Sequence, residues 1–132
     1  MKPRRIELKR IKGYQMPPNT VSVARPSKLG NPYRVWKEFG AWWLAFCDGR
    51  GGKGISRSRR VAQAWAVELY ATRFLTARRR HQAKKDLRGK NLACYCRLCE
   101  RHKDGLPLGD KCDQCEPCHV DPLLEVANGG PA

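Results

Sequence analysis

Residues 92–119 constrain this chain more than any other segment, because they hold six of its seven cysteines. They contain two C-x2-C pairs that are separated by a loop of twelve residues. Pairs at this separation allow four thiolates to converge on one tetrahedral Zn2+ ion. We therefore predict a structural zinc site in this segment. Its predicted ligands are Cys96, Cys99, Cys112 and Cys115.

The cysteine spacing leaves the ligand set partly open. Cys118 or His102 could replace one of the four predicted ligands, because thiolate and imidazole both bind zinc. An iron–sulfur cluster is a further alternative, since such clusters also take four thiolates. In each case we expect residues 97–117 to leave the body of the domain as a zinc-knuckle-like, metal-binding insertion.

Three chemically capable residues remain outside the predicted tetrad, namely Cys94, Cys118 and His119. Cys118 lies just before a predicted helix, whose N-terminus would lower the pKa of the thiol. Cys94 and Cys118 are therefore candidates for a nucleophile or a redox pair, with His119 as an acid or base. The alternative is that Cys94 packs in the core and Cys118 joins the metal site.

Charge is unevenly distributed along the chain. The 132 residues carry a formal net charge of +15. Residues 1–90 hold 23 Lys and Arg against 5 Asp and Glu, whereas residues 91–132 hold 4 against 7. A basic body beside a mildly acidic cysteine region indicates a surface that faces a polyanion. We expect nucleic acid or a nucleotide as the partner.

A predicted strand and the loop after it supply candidate ligand contacts. Val21 and Val23 alternate with Ser22, which indicates a short strand over residues 20–24. The following loop is rich in Gly, Asn and Pro and carries cations that could contact a phosphate. An ordinary rigid turn would have the same composition. The candidate ligand-binding residues are Arg25, Lys28, Gly30, Asn31 and Pro32.

Residues 60 to about 79 form the longest predicted helix, because their apolar residues recur at helical spacing. Ser56 or Ser58 could cap its N-terminus. The cations at residues 78–81 would then lie at its C-terminus, where the helix dipole favours positive charge.

Two further elements complete the predicted domain. Residues 91–96 alternate as a strand, and residues 121–126 begin with Asp-Pro, which is typical of a helix start. The order strand, helix, strand, helix with short links is typical of an α/β fold. We predict one small α/β domain over residues 1–132, with a short parallel or mixed sheet, flanking helices and the cysteine-rich insertion.

The remaining segments have weaker patterns. Residues 1–12 predict a basic arm, either a short edge strand or a partly ordered tail. Residues 34–47 are rich in aromatic side chains, which can stack on bases but more commonly pack in a small core. Cys47 is the only cysteine in this segment, and a lone cysteine is usually a small buried apolar residue, so we expect it to be buried. Residues 48–60 are basic and Gly-rich, which predicts a mobile loop that lacks the Walker A ending.

The prediction of cellular location depends on whether the chain contains a membrane span or a signal peptide. No stretch has the apolar length of a membrane span. The basic start MKPRRIELKR is not followed by an apolar stretch, so it does not resemble a signal peptide. Without secretion, cysteines are more often reduced and metal-bound than paired as disulfides. We therefore expect a cytoplasmic protein without membrane contact.

Two blocks of the chain resemble the family known as domain of unknown function 4326, which occurs in bacteria and their phages. The first is VSVARPSKLGNPY over residues 21–33, and the second runs from LRGKNLACYC at 87–96 to PCHVDPLLEVAN at 117–128. Many members have only a short link inside the second block, which implies a role for Cys96 outside the zinc site. The resemblance implies no activity. The signature positions that it implies are Gly30, Asn31, Pro32, Cys94, Cys96, Cys118 and His119.

Three functional hypotheses follow from these patterns. The first is a zinc-stabilised domain that binds nucleic acid or a nucleotide where the Gly-Asn-Pro loop and the Cys118–His119 helix start form one pocket, at the carboxyl ends of strands. The second is an enzyme that acts on a nucleotide or base. Deamination is disfavoured, because Val-Asp follows His119 where a deaminase has its H-x-E arrangement. The third is a protein-interaction adaptor that uses the cysteine-rich insertion.

Overall fold

The computed structural model describes residues 2–25, 27–46, 53–56 and 58–129. The strands are β1 (Arg4–Glu7), β2 (Thr20–Ser22), β3 (Tyr33–Glu38), β4 (Ala41–Phe46), β5 (Lys53–Ser56), β6 (Asn91–Cys94) and β7 (Leu106–Pro107). The helices are α1 (Arg59–Leu69), a π-helical turn (Tyr70–Phe74), α2 (Ala77–Leu87), a 3-10 turn (Glu100–His102) and α3 (Val120–Asn128). None of the helices in these ranges has the length and hydropathy that a membrane crossing requires.

A mixed four-stranded sheet forms the centre of the domain. Its strands lie in the spatial order β2, β6, β1, β7. β6 runs parallel to both of its neighbours, and β7 pairs antiparallel with β1. Parallel neighbours need a long crossover, which the chain between β2 and β6 supplies with α1 and α2. The predicted small α/β domain with a mixed sheet is therefore confirmed.

The N-terminal strand β1 lies inside this sheet and not at its edge. β6 pairs with one side of β1 and β7 with the other. Arg5 and Ile6 are buried between them and α3. The predicted strand is confirmed for residues 4–7, but its predicted edge position is wrong. A local alternation of basic and apolar residues cannot show that β7, much later in the chain, covers the second side.

A separate antiparallel sheet of β3, β4 and β5 was not predicted. The turn between β3 and β4 consists of Phe39 and Gly40, whose φ angles are 52° and 74°. Two positive φ angles match the twist of a tight hairpin, and Phe-Gly is a weaker signal for this turn than Asn-Gly. β5 occupies residues 53–56, where a mobile loop was predicted, so that prediction is wrong there. Cys47, for which burial was predicted, lies outside the described residues.

The aromatic residues of this second sheet are only partly buried. Trp36 and Trp43 pair across β3 and β4 with ring centroids 6.3 Å apart. Phe39 in the turn is 88% exposed, whereas Leu44 and Ala45 are buried. α1 packs against β3 and β4. Core packing therefore involves the small and aliphatic residues of β4 more than its tryptophans.

The predicted helix over residues 60–79 is in fact two helices with a break between them. Ser58 caps α1 by accepting a hydrogen bond from the N–H of Val61. It is one of the two residues that were predicted as possible caps. After the π-helical turn, the chain leaves helical geometry at Leu75, and Thr76 caps α2. Apolar spacing continues across this break, so periodicity alone could not reveal it.

The arginine run at residues 78–80 lies in the first turn of α2, so its predicted place at a helix C-terminus is wrong. Its side chains nevertheless reach the end of the preceding helical segment. Arg80 donates hydrogen bonds to the carbonyl groups of Ala71 and Leu75, both at 2.8 Å. The last carbonyl groups of a helix lack partners within the helix, and this guanidinium group satisfies two of them.

The hydrophobic core lies between the mixed sheet and helices α2 and α3. Leu92 of β6, Leu87 of α2 and Leu123 of α3 all contribute to it. α3 begins at Val120, slightly before the predicted start, and ends at Asn128, beyond the predicted end at residue 126. This helix brings the Cys118–His119 pair that precedes it to the carboxyl end of β6.

Candidate metal centre and ligand cavity

The cysteine-rich loop brings four potential metal ligands together. They are Cys99, His102, Cys112 and Cys115, and we refer to them as the loop tetrad. Their donor atoms all lie within 4.8 Å of one another. The Sγ of Cys99 is 3.2 Å from the Nδ1 of His102 and 3.8 Å from the Sγ of Cys112. Three thiolates and one imidazole at such separations could hold a metal ion in tetrahedral geometry.

Three of the four predicted zinc ligands belong to the loop tetrad, and His102 stands where Cys96 was predicted. The 3-10 turn that follows Cys99 explains this difference. The N–H of His102 donates to the carbonyl of Cys99 at 3.0 Å, which folds the imidazole back over the thiol. Cys96 instead stays close to the end of β6, two residues after Cys94.

Gly105 and β7 hold the loop tetrad against the sheet. β7 pairs with β1 immediately after Gly105. Gly105 has a φ angle of 126°, and a Cβ atom there would lie 3.0 Å from the side chain of Arg4 and 3.2 Å from that of Ile6. Only glycine combines this backbone conformation with such a close approach. The N–H of Gly105 also donates to the carbonyl of His102 at 2.8 Å, which positions the 3-10 turn.

A second group of thiols lies at the end of β6. It comprises Cys94, Cys96 and Cys118, which we call the core triad, and their Sγ atoms all lie within 4.8 Å of one another. Cys94 is the last residue of β6, and Cys118 precedes α3. Cys94 and Cys118 are buried, Cys96 is partly buried, and all three are free of disulfides.

Hydrogen bonds within the core triad separate the pKa values of its thiols. Hydrogen bonds with Cys118 and Cys94 lower the pKa of Cys96 to about 3. Burial raises the pKa of Cys118 well above its ordinary value. A hydrogen bond with Cys118 acts to lower the pKa of Cys94, but its hydrogen bond with Cys96 and its burial outweigh this and raise it to about 12. The lowered pKa favours a thiolate on Cys96 over the predicted nucleophiles Cys94 and Cys118.

The thiols of the loop tetrad are also unequal. A backbone hydrogen bond at Gln114 lowers the pKa of Cys112 to about 6. Burial raises the pKa of Cys115 to about 11. The N–H of Cys99 donates to the Sγ of Cys115 at 3.3 Å, a contact that orients this sulfur. A bound cation would deprotonate both thiols, because metal coordination removes the thiol proton outright.

Arg5 connects the two cysteine groups. Its side chain is 1% exposed, and its Nη1 is 3.1 Å from a carboxylate oxygen of Asp121. Its Nη2 donates to the carbonyls of Arg97 and Glu116, at 3.3 and 2.7 Å, where the cysteine-rich loop leaves and rejoins the domain. Burial acts to lower the pKa of Arg5, but Cys118 and Asp121 outweigh burial and raise it. Arg5 therefore remains a buried cation.

His119 lies buried beside the core triad. Its Nε2 is 2.8 Å from the carbonyl oxygen of Val23, so Nε2–H donates and Nδ1 remains an acceptor. Nδ1 lies 3.9 Å from the Sγ of Cys118, and the Tyr70 ring packs edge-on at a centroid distance of 5.0 Å. Burial lowers the pKa of His119, so the ring is neutral. The imidazole can therefore accept a proton or a metal at Nδ1.

A cavity of about 300 Å³ adjoins the core triad. Its lining includes the three triad cysteines and His119, as well as Tyr33 and Tyr95. Three arginines also line it, namely Arg10, Arg25 and Arg59. The fold thus places cations, aromatic rings and thiols around one space.

The predicted ligand-binding residues divide into two sets. Arg25 and Asn31 line the cavity, whereas Lys28, Gly30 and Pro32 are not among its described lining residues. Gly30 is buried, and a Cβ atom there would lie 3.0 Å from the backbone N of Arg25. Asn31 donates from Nδ2 to the carbonyl of Ala66 on α1. Gly30 and Asn31 therefore hold the loop in place, which positions Arg25 at the cavity.

Several site residues were missed because their sequence signals are weak. The missed residues are Arg5, Arg10 and Arg59, because a chain with 27 Lys and Arg does not distinguish one cation from another. His102 was named from the sequence as an alternative ligand; it stands three residues after Cys99, and this C-x2-H spacing also suits zinc.

Comparisons with known proteins point to one family. The family described as Domain of unknown function (DUF4326) matches residues 6–129, a range that contains both cysteine groups and most of the cavity lining. No curated protein and no solved structure matches the chain. The match confirms the resemblance found in the two sequence blocks. This protein therefore belongs to the DUF4326 family of domains of unknown function.

Proposed function

We propose that this protein is a zinc-stabilised domain whose arginine-lined cavity binds the phosphate of a nucleotide, either free or within a nucleic-acid strand. One observation carries the proposal. Arg10, Arg25 and Arg59 come from three separate segments of the chain, yet they line one cavity of about 300 Å³. Arginine is suited to phosphate because its planar group can donate two parallel hydrogen bonds.

In this proposal the loop tetrad binds the structural metal ion. Its one imidazole and three thiolates suit Zn2+, for which such sets are common in structural sites. Four protein donors leave no coordination position for a substrate. Zinc in the loop tetrad would hold the cysteine-rich loop against β1, and Arg5 would clamp both ends of that loop.

The charges around the cavity favour an anion. Arg59 pairs with Glu116 at 3.7 Å, but its side chain is 55% exposed, so this ion pair is weak and a phosphate can displace it. The guanidinium of Arg10 lies 4.2 Å from the centre of the Tyr95 ring, which keeps it beside the cavity. The net charge of +15 also raises the local concentration of anions.

The cavity size favours a single nucleotide unit over a longer ligand. About 300 Å³ is at the small end of the range for ligand sites. Tyr33 and Tyr95 in the lining offer aromatic surface to a base or a sugar. In a nucleic acid, one terminal or unstacked nucleotide would occupy the cavity while neighbouring phosphates contact the basic surface.

Nucleotide binding is tested with a labelled single-stranded oligonucleotide in anisotropy and with mononucleotides in calorimetry. Arg25→Gln should weaken binding about tenfold to a hundredfold, because it removes a charge-assisted hydrogen bond. Lys28→Gln is the matched control, since Lys28 is three residues away and outside the described lining; it should change the affinity less than about twofold. Equal effects of the two substitutions would contradict the proposal.

The same titrations distinguish the two sources of the nucleotide. A mononucleotide that binds and displaces the oligonucleotide indicates a free nucleotide as the ligand. Binding of the oligonucleotide alone, with an affinity that falls steeply with salt, indicates a strand. Failure of both ligands to bind, or binding that does not depend on salt, would overturn the proposal.

An enzyme that acts on a nucleotide is the second candidate, because the core triad and His119 line the same cavity as the arginines. A ligand held there would contact thiols and an imidazole acceptor together. Alkylation of the metal-free, reduced protein tests this candidate. A single fast-reacting triad cysteine that nucleotide protects would support it, and uniformly inert triad thiols would refute it.

A further inference from the structure

The core triad has the separations of a metal site of its own. Two thiolates bound to one zinc ion lie about 3.8 Å apart, since each Zn–S bond is about 2.3 Å long. The three Sγ atoms of the triad lie within 4.8 Å of one another and come from two distant segments that meet at the end of β6. Small inward movements of the side chains would therefore complete the coordination.

The charge around the core triad suits an anionic metal–thiolate group. Arg5 is 1% exposed, and a buried guanidinium is costly unless anions surround it. Its carboxylate partner Asp121 is 43% exposed, and the Nε of Arg5 has no hydrogen-bond partner within the part of the chain that the structure describes. Three thiolates around a divalent cation carry one net negative charge, the same as a single Cys96 thiolate, and that charge would balance Arg5.

The cavity gives the core triad an open side. Cys94, Cys96 and Cys118 all line the cavity, and within the described residues they form a group of three donors, not four. Three protein ligands with one position left for water or substrate distinguish a reactive zinc site from a structural one. His119 adds an acceptor nearby, because Val23 occupies its Nε2–H and leaves Nδ1 at 3.9 Å from Cys118.

We propose that Cys94, Cys96 and Cys118 bind a second zinc ion, separate from that of the loop tetrad, with its fourth coordination position open to the cavity. The proposal does not depend on nucleotide binding. It predicts two divalent ions per chain and an exchangeable ligand on only one of them. It also predicts that the bound metal ion protects the triad thiols from alkylation, because coordinated thiolates are shielded.

Metal stoichiometry is the first test and needs no variant. Native mass spectrometry of reduced protein reconstituted with Zn2+ should find two ions per chain. Cys96→Ser should retain one ion, Cys115→Ser should retain one, and the double variant should retain none. Wild-type protein that binds a single ion, or a single-ion state that Cys96→Ser leaves unchanged, would overturn the second site.

Cobalt substitution tests the open position. Co2+ in a thiolate site gives charge-transfer and ligand-field absorption that reports the coordination sphere. Azide should change the visible spectrum of Co2+-loaded Cys115→Ser, which retains only the triad site. It should leave Co2+-loaded Cys96→Ser unchanged, because the loop tetrad is closed. No response to azide in either variant would overturn the open position.

Peptide mapping under non-reducing conditions tests the alternative that two of the triad cysteines form a redox-active disulfide. Protein purified with metal should yield free triad thiols. A disulfide between two triad cysteines in that preparation would show a redox pair and would contradict the metal site. These outcomes are independent of the nucleotide titrations, so the second metal site and the proposed ligand can fail separately.

Discussion

The loop tetrad and the core triad use the same donor atom in opposite surroundings. The tetrad has four donors and lies on a loop whose neighbouring residues are mostly exposed. The triad has three donors at the end of a buried strand, beside a cavity and near a buried guanidinium. The number of donors and the access of solvent therefore separate a site suited to holding structure from one suited to exchanging a ligand.

Arg5 joins the two groups and limits their independence. It clamps the ends of the loop through the carbonyls of Arg97 and Glu116 and supplies positive charge near the triad. A change at the triad can therefore reach the loop without any contact between the two sets of sulfur atoms. A substitution that affects one cysteine group alone tests the difference between the two groups most directly. A substitution of Arg5 should affect both groups together.

Arg5→Met should give the largest effect, because it leaves two carbonyl groups and Asp121 without their partner. Asp121 is 43% exposed, so most of the cost comes from the lost hydrogen bonds of a buried charged donor, about 3 kcal/mol in total. Urea unfolding of metal-loaded protein measures the loss. Lys12→Met, a substitution of an exposed cation, should stay within about 0.5 kcal/mol of the wild type. A cost below about 1 kcal/mol for Arg5→Met would show that Arg5 does not connect the two groups.

Cys115→Ser should destabilise the protein and leave the cavity unaffected. It removes the loop metal, whose binding stabilises the fold by about 2.7 kcal/mol at a free metal concentration near 100 times the Kd. Thermal unfolding with and without Zn2+ measures this contribution, and nucleotide titration checks the cavity. Cys96→Ser also removes a metal ion in our proposal, so it should lower the stability too, but it should in addition alter nucleotide binding at the cavity. Equal changes of nucleotide affinity in the two variants would remove the distinction.

Gly105→Ala should cost about 2 kcal/mol, because the side chain would occupy space taken by Arg4 and Ile6 and the backbone would be strained. Gly109→Ala is the matched control in the same loop. Its φ is also positive, at 89°, but a Cβ atom there has no atom within 4 Å, so only the strain of about 1 kcal/mol remains. Urea unfolding that finds no difference between the two variants would show that the loop is not held tightly on β1.

Tyr70→Phe should give the smallest effect and probes the packing beside the core triad. The hydroxyl of Tyr70 donates to the carbonyl of Leu29, and its loss costs about 1 kcal/mol. Burial raises the pKa of Tyr70. Above about pH 10 the unfolded chain loses the phenol proton while the folded chain keeps it, so the free energy of unfolding falls by about 1.4 kcal/mol per pH unit from this group.

Urea titrations between about pH 10 and pH 11 measure that slope. The slope should be shallower in Tyr70→Phe, since phenylalanine has no proton to lose. An unchanged slope would place the alkaline sensitivity on other groups, such as the cysteines.

Local patterns determined a large part of this protein. The C-x2-C pairs identified three of the four tetrad residues, and alternation identified the strands that carry Val21 and Cys94. The family resemblance, which the match over residues 6–129 confirms, also implied a role for Cys96 outside the zinc site, although the spacing had placed Cys96 among the ligands. These features succeed because spacing of a few residues limits which side chains can share a face or a metal.

Only the tertiary structure decided how distant segments meet. β7 covers the far side of β1, the helical pattern over residues 60–79 breaks at Leu75, and Cys118 returns to the end of β6. Arg5 and the cavity arginines are indistinguishable from other cations in the sequence, because burial and convergence depend on chain crossings far apart in sequence. Their roles follow from packing, which no local pattern contains.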